Sequence, residues 1–109
     1  MTIKEYTEDL QLKKDLLPIP GEFIQEIIDF KKISQKELAD KIGKTPANMN
    51  EIIKGKTIIT EDTALKLEYA LGSPASFWLS LERKYQDRKL EIKKIEGLLS
   101  SLCSAQNKL

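Results

Sequence analysis

SQKELADKIGKTPANMNEIIKGKT, residues Ser34–Thr57, is the stretch that decides the fold. It spaces Gln35, Ala39 and Gly43 at intervals of four, and a second helix opens within two residues of the glycine. Two short helices cross closely where the crossing residue is small and the turn is tight. Ala39 is the small residue, and Gly43 can take the left-handed backbone angles that the turn needs. The second helix is thereby thrust outward, where its N-terminal residues can enter the major groove of a DNA duplex.

Cap residues bound the helices on either side. Ser34 with Glu37 forms a capping box at the first helix of the pair, whose Leu38, Ala39 and Ile42 should face inward. Thr45 caps the second, and Pro46 stands where a missing N–H does no harm. Met49, Ile52 and Ile53 should be its buried face, leaving Ala47, Asn48, Glu51 and Lys54 outward. Upstream, with Pro20 near the first turn, GEFIQEIIDFKK reads as a helix that buries Phe23, Ile24, Ile27 and Ile28, with acids toward its start and lysines at its end. Downstream, Gly55 ends the outward helix. Thr60 caps a helix from about Glu61 to Leu71 that buries Ala64, Leu67 and Leu71 and stops at Gly72. Ser73-Pro74 then opens a last helix. No stretch reads as a strand, so the chain is all-α.

That last helix carries its own pattern. From Trp78 the positions Leu81, Tyr85, Arg88, Ile92, Ile95, Leu99 and Leu102 follow steps of three and four. A seam repeating every 3.5 residues belongs to a coiled coil or to a long helix packed on another. Helical throughout, residues 74–102 would reach about 40 Å, longer than so small a domain can cover. The stripe therefore calls for a partner. Residues 1–19 form an N-terminal extension in which Ile3, Tyr6 and Leu10 could share a helical stripe. The expected organisation is this extension, a domain over 20–85 and a helical extension over 86–109.

Composition narrows the chemistry. The chain has 109 residues and no histidine, which excludes histidine-based triads, HExxH metal sites and histidine-ligated zinc. Its five glycines are scattered singly, unlike a phosphate-cradling loop. No enzyme activity, metal or cofactor is expected. Cys103, the single cysteine, suits a reducing cytoplasm and reads as a small apolar residue near a helix end. No apolar run approaches the roughly 20 residues of a membrane span, and no signal peptide is evident. Net charge is +1, but four lysines (Lys41, Lys44, Lys54, Lys56) oppose only Glu51 between Lys41 and Thr57. That local excess lies beside the outward helix.

From about Pro18 to Tyr85, some two thirds of the chain, the sequence resembles the HigA-type antitoxins, a branch of the Cro/repressor-like (XRE) helix-turn-helix proteins. The residues carrying the resemblance are PIPGEFIQEII, SQKELADKIGKTPANMNEIIKGKT with IIT, EDTALKLEYALG and SPASFWLSL. It implies a five-helix repressor-like domain with an extended C-terminal helix, a homodimer, and binding to operator DNA upstream of its own operon. It also implies a cognate mRNA-cleaving toxin of the RelE-like, HigB type. By motif, Gln35 falls where the superfamily touches phosphate, and Thr45, Ala47, Asn48 and Glu51 fall where the outward helix faces base edges. Lys54, Lys56 and Thr57 occupy a Gly-Lys loop close to the DNA backbone.

The chain departs from that pattern in two places. Lys44 replaces the usual apolar residue, its stem able to cover the core while the amine reaches a phosphate. The outward face also lacks arginine and glutamine. Asn48 is suited to adenine and Ala47 to a thymine methyl, and Glu51 either accepts from cytosine or repels phosphate. Phe77, Trp78, Leu81, Tyr85, Ile92, Ile95 and Leu99 are the expected dimer or partner contacts, with core as the alternative for Phe77, Trp78 and Leu81. For the toxin, Ile3–Leu17 and the outer part of the 78–102 stripe are the two candidate surfaces. A stand-alone regulator without a toxin, and a helical interaction module that has lost DNA binding, remain alternatives.

Overall fold

A computed structural model describes residues 2–107, with side chains through residue 102; the expectation for the Cys103 side chain lies outside that range. The described residues form six helices and no strand: α1 (Ile3–Asp15), α2 (Pro20–Lys31), α3 (Gln35–Lys41), α4 (Pro46–Ile53), α5 (Glu61–Leu71) and α6 (Ala75–Asn107). The five expected helices are α2–α6, the last long as the seam requires. The N-terminal stretch adds α1. The chain divides into two compact units, one of Pro18–Tyr85 and the other of the chain up to Leu17 together with the stretch from Gln86 on.

In the first unit, local chemistry sets each helix end. Ser34, Thr45 and Thr60 accept hydrogen bonds from the backbone N–H of Glu37, Asn48 and Thr63, satisfying donors that a helix start leaves without an intrahelical partner. The two helices of the motif end alike. Gly43 and Gly55 are left-handed at φ 68° and 76°. The next residues, Lys44 and Lys56, donate their N–H to the carbonyls of Ala39 and Glu51 at 2.9 Å. This is the doubly bonded helix stop that glycine favours.

Ile24, Ile28, Leu38, Ala39, Ile42, Met49, Ile52, Ile59, Ala64, Leu67, Leu71 and Trp78 make one core. Burying each of its larger side chains contributes on the order of 1.5–3 kcal/mol. One expectation is corrected. Phe23 is 40% exposed, because the apolar stripe of α2 centres on Ile24 and Ile28 with Ile27 at its edge, which turns Phe23 outward. It rests edge-on against Phe77, with ring centroids 6.0 Å apart. For Trp78, where the sequence leaves dimer contact and core both open, the structure selects core: it is 0% exposed. Its indole N–H finds no acceptor among the described residues.

The second unit is a pair of helices. In α1 the half-buried residues Ile3, Tyr6, Leu10 and Lys13 follow three- and four-residue steps, while Leu12 and Leu16 are exposed. On α6, Ile92 is buried and Arg88, Ile95, Leu99 and Leu102 are half-buried. Lys13 pairs with Glu91 at 3.9 Å and Lys14 with Glu96 at 3.4 Å, tying α1 to this part of α6. The outer stripe, which calls for a partner on sequence grounds, is thus met in part by α1 of the same chain.

Candidate nucleic-acid interface

Three contacts aim α4. Its N-terminal half follows the tight turn at Gly43, and α3, whose Ala39 is fully buried, packs against it. Its C-terminal end lies so close to the start of α2 that a Cβ on Gly21 would collide with the carbonyl of Ile53. A helix fixed on these sides cannot rotate without opening the core, so its outer face is a defined surface.

That face carries the residues expected from sequence. Thr45, Ala47, Asn48, Glu51 and Lys54 are exposed on or beside α4, and Lys56 and Thr57 are exposed in the loop that follows. The burial of Met49 and Ile52 at 0% and 3% exposure places these side chains outward by helical geometry. Thr45 Oγ1 is engaged as a cap by the Asn48 N–H at 3.1 Å, while the Asn48 side chain stays available. Glu51 accepts from the Thr57 hydroxyl at 3.3 Å. The carboxylate thus braces the loop, a role that spacing alone does not reveal.

Gln35 and Lys44 flank this face and are half-buried. Gln35 donates through Nε2 to Gln25 Oε1 at 2.8 Å, and Gln25 donates in turn to Asp29 at 2.7 Å. A carboxamide nitrogen carries two hydrogens, which leaves Gln35 one for a phosphate oxygen. Lys44 combines a part-covered stem with a charged end, as its position after Gly43 requires. Gln35 thus stands at the start of α3 and Lys44 in the turn that leads into α4.

The residues expected to meet a second chain are more scattered. Phe77 is 37% exposed, Leu81 is half-buried, and Trp78 and Tyr85 are enclosed. Ile92, Ile95 and Leu99 belong to the two-helix unit.

Sequence reasoning missed Glu82. Glu82 is 7% exposed, and its carboxylate accepts the backbone N–H of Ile59 at 2.7 Å. The signal was an acid four residues after Trp78, on the inward face of α6. Tyr85 donates its hydroxyl to the carbonyl of Gly55 at 3.4 Å. Burial first and the charge of Glu82 second raise the Tyr85 pKa above its ordinary 10.0, so at neutral pH the phenol keeps the proton it donates. Among the described residues, no three metal-ligating side chains cluster, and no helix is long and apolar enough to cross a membrane.

The helical domain resembles known proteins in sequence and fold. The helix-turn-helix family model matches residues 24–78. The chain is 26% identical over 87 residues to YddM, an uncharacterised helix-turn-helix transcriptional regulator of Escherichia coli, covering 76% of this chain and 93% of that protein. It is 33% identical over 73 residues to virulence-associated protein I of Dichelobacter nodosus, covering 66% and 68%. A crystal structure from Nostoc punctiforme, of a protein assigned as an antidote of a plasmid maintenance system, superposes with a TM-score of 0.59 at 32% identity, covering 72% of this chain and 92% of that one.

Proposed function

The chain belongs to the helix-turn-helix family of DNA-binding regulators, and from that membership we propose that it is an antitoxin of the HigA type. In this reading a cytoplasmic homodimer binds operator DNA and represses its own operon, and the same chain neutralises a cognate RelE-like, HigB-type toxin. The likeness to the plasmid-maintenance antidote over nearly its whole length carries the antitoxin reading. The exposed α4 face, set among lysines, supports the DNA reading.

Phosphate contacts from Lys44, Lys54, Lys56 and Gln35 supply most of the affinity, because neutralising phosphates releases condensed counterions. Asn48, Ala47 and Glu51 read base edges, and Thr45 fixes the start of the reading helix. Two subunits present their α4 helices about 34 Å apart to a twofold operator. The chain carries out no bond-breaking step of its own, in keeping with its lack of histidine. Replacing Lys54 and Lys56 together by alanine should weaken binding to every duplex. It should also lower the slope of log affinity against log salt by about 2, one per lysine. An unchanged slope would show that neither lysine meets phosphate.

The toxin reading is tested by co-expression with the product of the adjacent gene. Restored growth and a co-purified complex of fixed stoichiometry are expected. Growth arrest that this chain does not relieve contradicts it. The likeness to a transcriptional regulator along 93% of that protein favours a second reading, a regulator that acts without a toxin. Operator binding with no stable partner from the neighbouring gene would select it.

A further inference from the structure

The loop between α4 and α5 carries Lys54, Lys56 and Thr57 toward solvent, yet it is held from beneath at two points. Gly55 and Ile59 bracket the three exposed residues Lys56, Thr57 and Ile58. At one bracket the Tyr85 hydroxyl bonds the Gly55 carbonyl, and at the other Glu82 Oε1 takes the Ile59 N–H. Glu82 and Tyr85 stand three apart on α6 and so share a face. We propose that Glu82 and Tyr85 are positioning residues for DNA binding, clamping the loop so that its lysines are held ready for the phosphate backbone.

The inference rests on the DNA-binding reading of that loop. Three observations carry it. A glutamate buried to 7% exposure is costly where an apolar side chain would fill the space, unless its hydrogen bonds are needed there. Its Oε1 accepts the backbone N–H of Ile59 at the end of the loop, 23 residues away in sequence. At the other bracket the fit is tight: a Cβ on Gly55 would stand 2.8 Å from the Tyr85 hydroxyl and 3.1 Å from Ile19 Cγ2. The glycine thus serves both the left-handed helix stop and the approach of the tyrosine. Ile59 adds a third anchor, its side chain lying in the core at 2% exposure.

The physical consequence concerns the entropy of binding. Lysines on a free loop must be ordered when DNA arrives, and that ordering subtracts from affinity. A loop already held in place loses less. Releasing the clamp should therefore weaken phosphate contacts while leaving base preference to α4.

The test compares full-length wild type with E82A, E82Q and Y85F. Three quantities are read: amide hydrogen exchange across residues 55–60, thermal midpoint, and affinity for duplex DNA from upstream of the protein's own gene over a range of salt. E82A and Y85F should speed exchange in the loop, weaken DNA binding about tenfold and flatten its salt dependence, with base preference kept. E82Q keeps an oxygen acceptor for the Ile59 N–H and should stay within about twofold of wild type. Faster loop exchange with unchanged affinity and salt slope overturns the proposal. So does an affinity loss that tracks the thermal midpoint while loop exchange stays as in wild type. If wild type itself binds no duplex, the DNA reading falls and the proposal with it. If wild type binds and the variants match it, the proposal alone falls.

Discussion

The Pro18–Tyr85 unit and the two-helix unit are stabilised in different ways. In the first, fully buried side chains from five helices interlock, each motif helix is capped, and Gly21 brings α2 against the end of α4. In the second, α1 contributes no buried residue, and its link to α6 includes ion pairs whose partners are 23–54% exposed. Such pairs contribute little and weaken with salt. The rigid geometry lies where a helix must be aimed at a groove. The pair of helices rests on fewer buried side chains and on part-exposed ion pairs.

The contrast can be broken most directly by truncating one residue in each unit. W78A should cost about 3–5 kcal/mol in urea unfolding, since it empties a fully enclosed site. I95A, at a half-buried position, should cost about 1 kcal/mol. Equal costs would abolish the distinction between the units. W78F should fall well short of W78A, because it keeps most of the volume and removes an indole N–H that lacks an acceptor. G21A comes next, at about 1–3 kcal/mol, as the added Cβ forces α2 and α4 apart. It should weaken DNA binding more than its stability cost alone explains, because it re-aims α4.

Smaller effects sharpen the picture. Replacing Lys13 and Lys14 by alanine should lower stability by no more than about 1 kcal/mol, and by less in high salt. Exchange of α1 amides should nevertheless rise. The smallest effect concerns pH. Tyr85 is raised above 10.0, so its share of stability is fully present below the unfolded value. That share is lost as pH climbs through the folded one. Unfolding free energy measured between pH 9 and 11 should fall more in wild type than in Y85F.

Much of the DNA-facing unit was legible in the sequence because its signals are local. Ser34, Thr45 and Thr60 announce helix starts by chemistry that acts within three residues, and Gly43, Gly55 and Gly72 announce ends through backbone angles. The long helix was legible too, since its seam repeats over many turns. What escaped depends on contacts distant in sequence. Nothing near Phe23 says that Ile24 and Ile28 alone centre the buried stripe. Glu82 falls on the inward face of α6 by its spacing from Trp78, but its role shows only when Ile59, 23 residues away, donates to it. The partner of the outer stripe lay at the opposite end of the chain, in a segment whose own apolar period is short and interrupted by charge.

The most direct test of the account is base preference at α4. Wild type and N48A are titrated against duplexes carrying the upstream region of the protein's own gene and against the same duplexes with each base pair of the bound site replaced in turn. Wild type should bind its site far more tightly than mixed-sequence DNA, and N48A should lose discrimination at one symmetric pair of positions, worth about 1–3 kcal/mol. Binding by wild type that is equally strong on every duplex, or a base preference that N48A leaves intact, would contradict the claim that this helix reads the groove.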